Sequence, residues 1–445
     1  MIKRKIQERL EQFAKDKGRY ALLIDGARQV GKTFIIEKFA SEHYEVLVEI
    51  NFATMKGALA IFDNVETAED VLVKLTAFSK KRLVPGRTLV FFDEIQKCPE
   101  AVTYIKPLVQ EGSCHYVLSG SLLGVELKNV RSVPVGFMDE AKMFPLDFEE
   151  FVEAVGEVPE LLQAARNAWT RRLPLDKVFH QRLLKLFRLY LVVGGMPAAV
   201  QCYLDTHDIA AVVREQKRIL AMYRRDITQY DQDNALRIRL VFDRIPAELD
   251  KKNKRYYVSG IRPGERYDNL EDEFVWLKEA GVALPAYNVQ APVAPLVLGT
   301  KPNLFKLFSN DIGLLSAQYM NGIQLNILNG EQSINFGSVY ENAVAQELTA
   351  HGIEPRYYNS PKNGEIDFVI ERDGAVLPIE VKSGKHYQRH RALNFALAQS
   401  DYRINEAIVF NDDAMKIEGR VRYVPIYMVM FLENTPIPEK LVYEV

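Results

Sequence analysis

Between residue 20 and about 150, short apolar runs alternate with stretches of helical periodicity: YALLIDG, a helix from Lys32, EVLVEINF, a helix near Ala68 to Lys81, TLVFFDE, a helix around Val102, and HYVLSGS. Strands that are apolar on both faces, separated by crossover helices, predict a parallel α/β sheet. From about 150 to 230 the periodicity is helical, with Phe148, Phe151, Leu161 and Leu183 to Leu191 on the apolar faces, and predicts a connector or lid. Residues 233 to 290 read as a helix, a basic loop KKNKRYY, a second helix ending at Gly281 and a strand VALPAYNV, the order of a winged helix. After Pro302 come KLFSNDIGLLSAQ, a helix from Ser338 to about Ala350, a strand RYYN, two short strands around Asp373-Gly374, a helix near Arg391 to Gln399 and a strand EAIVFN. The expected segments are therefore 1–150, 151–301 and 302–445.

The run IDFVIERDGAVLPIEVKS places acids where strands usually have none. Asp-Gly between alternating apolar residues predicts a type I′ hairpin, whose central positions need positive φ. With Asp373 and Gly374 as the loop, Arg372 pairs with Ala375, and counting back brings Asp367 opposite Glu380, with Cβ atoms about 4.5 to 5.5 Å apart. Lys382 falls on the same face. Opposed like charges destabilise a sheet unless a positive charge intervenes, and a divalent cation is the first candidate. The plainer alternative is a hairpin whose charges satisfy one another, since Glu365 falls opposite Lys382 in this register.

The 445 residues carry 57 Lys plus Arg against 59 Asp plus Glu, so the net charge of −2 gives no general basic field toward nucleic acid. Any such contact must be local, and KKNKR with Tyr256 and Tyr257, or REQKRILAMYRR, are the candidates. Cys98, Cys114 and Cys202 form neither a CxxC nor an even set, which argues against disulfides and zinc and fits a reducing cytosol. The apolar run LYLVVGGMPAAV is too short to span a bilayer, and the N-terminus lacks a signal-peptide core, so a soluble cytoplasmic protein without membrane contact is expected.

GARQVGKT matches GxxxxGK[ST] between an apolar strand and a helix. Such a loop, Gly26, Ala27, Arg28, Gln29, Val30, Gly31, Lys32 and Thr33, turns backbone N–H groups toward the phosphates of ATP, with Lys32 on the β- and γ-phosphates and Thr33 on Mg²⁺. TLVFFDE ends in Asp93, expected on Mg²⁺ through water, and Glu94, expected to polarise the attacking water. Ser119 or Ser121, ending the next strand, is placed to sense the γ-phosphate. Arg131, Arg224 and Arg225 are candidates for an arginine finger, supplied in cis or by a second subunit.

GARQVGKT, INF at Ile50 to Phe52, FFDEIQK, LSGSLLG, SVPVGF followed by FPLDFEEF, GGMP and KLFSNDIGLL resemble, in that order, the bacterial and archaeal AAA-type P-loop ATPases that carry a C-terminal domain of unknown function. The resemblance implies ATP binding and hydrolysis, with the nucleotide positions on Gly26, Gly31, Lys32, Thr33, Asp93 and Glu94, and it suggests links to DNA handling. The tail is similar to the PD-(D/E)XK nuclease core. By that likeness Asp367 and Glu380 would hold a metal, Lys382 would orient or deprotonate water, and Glu341 would add a carboxylate. The expectation is an ATPase coupling nucleotide state to a nuclease-like domain on DNA. Its alternative is a nucleotide-dependent switch with an inactive tail that docks a protein partner, and a homo-oligomer fits either reading.

Overall fold

A computed structural model describes the chain except residues 1, 122–135, 231–233, 252, 262, 263, 265, 320, 321, 332–336, 385–387, 435–441 and 443–445. The apolar runs become strands β1 (Ala21–Asp25), β2 (Val46–Asn51), β3 (Thr88–Asp93) and β4 (His115–Gly120), joined by β5 (Met138–Lys142) in the order β2-β3-β4-β1-β5. Every pairing is parallel. Alternation along β3 explains its unbroken apolar run. Val90 and Phe92 enter one core with Val48, Ile50 and Leu118, while Leu89 and Phe91 enter the other with Ile24, Ile36 and Phe39. Helices Lys32–His43, Ala68–Ser79 and Pro99–Glu111 supply the crossovers. β5 was not expected, because MDEAK buries only Ala141 and gives no apolar alternation to read.

The chain divides into two compact units: Met1–Phe144 with Val275–Val282, and Pro145–Phe274 with Ala283–Val445. The second holds the expected helical stretch, as Phe148–Ala154, Pro159–Arg171, Lys177–Val193, Pro197–Thr206 and Ile209–Tyr230. Its sheet contains β6 (Ala283–Val289), β7 (Thr300–Ser309), β8 (Arg356–Ser360), β9 (Gly364–Arg372), β10 (Ala375–Val381), β11 (Ala407–Asn411), β12 (Lys416–Glu418) and β13 (Val421–Pro425). Their order is β12-β13-β11-β10-β9-β8-β6-β7. The strand read from the sequence as a wing, β6, pairs with β7 and β8, and the segment boundary expected at residue 302 falls inside β7.

Three of the sequence motifs meet in the interior of this unit. Asp311 caps helix Ile312–Gln318 by accepting from the Leu314 N–H at 2.8 Å, and its other oxygen accepts from the Gly195 N–H at 2.6 Å. A side chain at Gly195 would run into the backbone of Leu146, whose N–H donates to the Gly195 carbonyl. Tyr190 donates to the Leu146 carbonyl and accepts from Gln346, so GGMP, FPLDF and SNDIG are held by one buried polar network. Among the described residues no single helix is long and apolar enough to cross a membrane.

Candidate functional site

The loop after β1 is shaped by backbone requirements. A Cβ at Gly26 would strike the carbonyl oxygen of Met143, and Gln29 and Gly31 adopt positive φ of 66° and 95°. Gly31 leaves the N-terminus of helix Lys32–His43 without a side-chain cap. Lys32 is buried, with Nζ donating to the carbonyls of Gly26 at 2.6 Å and Ala27 at 2.9 Å. Burial pulls its pKa down to about 8 against the opposing pull of Glu94, Asp25 and Asp93. The segment Val275–Val282 also belongs here: a Cβ on Gly281 would stand 3.2 Å from the Ala27 nitrogen.

Asp93 lies at the end of β3, directly beside Asn51 at the end of β2. One of its oxygens accepts from Thr33 Oγ1 at 3.2 Å and Asn51 Nδ2 at 2.8 Å. The other accepts from Ser119 Oγ and from the Glu94 N–H at 3.1 Å. Glu94 has positive φ of 54°, accepts from Gln96 Nε2 at 2.5 Å, and lies 3.9 Å from an Arg28 nitrogen. Gln96 also reaches Ser121 Oγ at 3.3 Å. The structure thus joins Lys32, Thr33, Asp93, Glu94 and Ser119, as the motifs require, and adds Asn51 and Gln96, to which sequence reasoning gave no role. Both lay inside quoted motifs, INF and FFDEIQK. The uncapped helix start, the buried ammonium and the oriented carboxylate fit a triphosphate with its magnesium ion. Arg131 lies outside the described residues; Arg224 is engaged by Asp243 at 2.7 Å, and Arg225 is exposed.

The hairpin folds in the register read from the sequence. Asp373 and Gly374 have φ of 53° and 74°, and the pairing runs from Ala375 opposite Arg372 to Ile379 opposite Phe368. One step further places Asp367 opposite Glu380. Both are buried, and Asp367 also accepts from the Val381 N–H at 2.8 Å. The compensating charge is protein. Lys382 Nζ stands 2.5 Å from Glu380 and 3.8 Å from Asp367. Lys306 of β7, with no exposed surface, reaches Glu365 at 2.6 Å, Glu341 at 3.2 Å and Asp367 at 4.0 Å. Lys254 donates to Glu341 as well.

Burial acts to raise the Asp367 pKa, but Lys382, Lys306 and Lys254 outweigh it and hold this carboxyl below its usual range. Glu380 is pushed up, first by burial and then by Asp367 beside it. Burial pulls both Lys306 and Lys382 down, and the facing carboxylates overcome it and raise them. Glu365, expected to pair with Lys382, pairs instead with Lys306 and with Asn359 Nδ2 at 2.7 Å. Among the described residues no group of three or more His, Cys, Asp or Glu is arranged to hold a metal ion. Glu341, Asp367 and Glu380 therefore do not fit a divalent cation in this arrangement: lysine ammonium groups already supply the positive charge.

Within the candidate basic stretches some charges have local partners, while Arg225 is exposed. Lys251 pairs with Glu248 at 2.6 Å and Arg218 with Glu215 at 2.9 Å, while Arg255 lies 5.7 Å from the Tyr257 ring centroid.

Comparison with known proteins divides the chain into three parts. Residues 18–152 match the family described as an AAA domain, 184–325 a domain of unknown function (DUF8612), and 336–429 another domain of unknown function (DUF4143). No curated protein matches the chain. Among solved structures it is similar to the Walker-type ATPase PABY2304 of Pyrococcus abyssi at 14% identity, covering 72% of this chain and 96% of that one, with a TM-score of 0.45. It is also similar to the ORC1 protein of Aeropyrum pernix, solved in complex with DNA, at 13% identity, 71% and 92% coverage and a TM-score of 0.30. Cdc6p of Pyrobaculum aerophilum gives 13%, 74% and 94%, and 0.26. These TM-scores are too low to bear on function. The AAA match and the loop geometry together make the first unit an AAA-type P-loop ATPase domain.

Proposed function

We propose that this protein is a nucleotide-driven switch, in which ATP binding and hydrolysis in the AAA-type domain alter a second unit that has a nuclease-like frame and works by docking a protein partner. The observation that carries the choice of docking over cleavage is Lys306, whose buried ammonium lies among the carboxylates that a nuclease would leave for metal.

In the AAA-type domain each polar group has a task. The N–H groups of the loop and Lys32 hold the phosphates, Lys32 turning from the carbonyls of Gly26 and Ala27 to the incoming anion. Thr33 and Asp93 are the residues for Mg²⁺, which when bound neutralises charge building on the transferred phosphoryl group. Asn51, Ser119 and the Glu94 N–H fix the direction of Asp93, and Gln96 aims Glu94, the base for the attacking water. Lys32→Ala should abolish turnover. Glu94→Gln should still bind ATP while losing about 100-fold or more in kcat.

For the second unit, the purified chain is incubated with DNA and RNA in Mg²⁺ or Mn²⁺ beside Asp367→Ala. The docking reading expects no product above that control. Metal-dependent cleavage abolished by Asp367→Ala would refute it and restore the alternative of a nuclease acting on DNA.

A further inference from the structure

The turn end of the same hairpin borders a cavity of about 400 Å³ lined by Trp169, Arg172, Arg372, Glu406 and Arg422 among others. Three elements send guanidinium groups to it: Arg172 caps helix Pro159–Arg171, Arg372 ends β9, and Arg422 lies on β13. Arg422 is only 5% exposed, and its guanidinium lies 4.2 Å from the Trp169 ring centroid. Its Nε is 2.8 Å from Glu406 Oε1, yet both atoms are buried without an aligned hydrogen bond. The other Glu406 oxygen is taken by Arg172 at 2.9 Å. Arg372 Nε is likewise buried without a hydrogen bond, 3.4 Å from Asp373, whose side chain is largely exposed.

Glu406 thus faces two of the three guanidiniums, Arg422 and Arg172, and Asp373 at the mouth faces the third, Arg372. Burial pulls the Arg422 pKa down to about 10, with Glu406 opposing and Arg172 and Arg372 adding to the fall. A desolvated cation in such company is costly until an anion with several acceptors joins it. Guanidinium forks match phosphoryl and carboxylate oxygens in pairs. Among the described residues that line the cavity, Trp169, packed against Arg422 and 6.3 Å from Phe431 between ring centroids, is the only aromatic one, so a nucleobase finds little to stack on.

We propose that this cavity binds a small dianion, a phosphoryl group or a dicarboxylate, gripped by Arg422 and Arg372. Trp169 and Trp276 are the chain's two tryptophans, so Trp276→Phe leaves one indole, inside the pocket. In the full-length Lys32→Ala, Trp276→Phe protein, with the phosphate loop disabled, Trp169 emission is titrated with inorganic phosphate and with succinate at constant ionic strength. A saturable change with at least one, weakened about tenfold or more by Arg422→Gln and by Arg372→Gln, is expected. A response to phosphate alone assigns a phosphoryl ligand, and a response to succinate alone a dicarboxylate. No saturable response to either up to about 10 mM overturns the proposal, as does an unaltered response in Arg372→Gln. Circular dichroism checks folding, and the half-exposed Arg372 variant decides the matter should Arg422→Gln misfold.

Discussion

Asp93 shows what orientation requires at a single residue. Each of its oxygens has two donors, and the one facing Thr33 depends on Asn51 for its shorter bond. Removing an outer partner of a metal-directed carboxylate typically costs 10- to 100-fold in metal affinity or activity. Asn51→Ala should therefore raise the Mg²⁺ concentration for half-maximal ATPase activity about tenfold, with nucleotide binding little changed in a metal-free fluorescence titration. Lys32, Thr33 and Asp93 could be read in advance because each belongs to a local pattern whose spacing follows from a strand, a turn and a helix start. Asn51 could not be given a role, because its contact with Asp93 spans 42 positions and exists only once β2 and β3 pair in register. Lys306 escaped notice for a similar reason. It sits on β7, which is not a neighbour of β9 in the sheet, yet it answers the charges whose apposition the Asp-Gly turn had made legible.

Among the elements, helix Ile312–Gln318 and the turn at Gly195 are joined through one carboxyl group. Burial raises the Asp311 pKa to about 6, against the lowering effect of N–H groups from Gly195, Leu314, Gly313 and Met196. An unfolded aspartate titrates near 3.9, so between about pH 4 and pH 6 the native state holds a proton that the unfolded chain has released. Unfolding free energy should fall as pH rises through that window, by about 3 kcal/mol in total from this group. Urea titrations at about pH 4 and pH 6.5, wild type against Asp311→Asn, isolate the contribution, and the variant should lack the decline. Strands β5 and β12 were not anticipated, since MDEAK and KIE are short and mostly polar and take their conformation from the strands beside them.

At the level of the whole molecule, the chain crosses between its two units three times, after Phe144, Phe274 and Val282. The middle excursion, Val275–Val282, lays Gly281 against the loop at Ala27 immediately before the chain begins β6. Gly281 has φ of 66°, which a β-branched residue adopts only under strain. Gly281→Val should weaken ATP binding by about tenfold while leaving Lys32 and Asp93 intact, as measured with a fluorescent nucleotide; unaltered affinity would detach this segment from the nucleotide site.

The carboxylates of the hairpin cluster all fall within residues 336–429, whereas Lys254 and Lys306 fall within 184–325, so two separately recognised modules divide one ionic inventory between them. Neither can be transplanted or inherited alone without leaving its partner with unmatched charge. A chimera that keeps the acids and replaces the lysine-bearing module should misassemble or take up cations from solution.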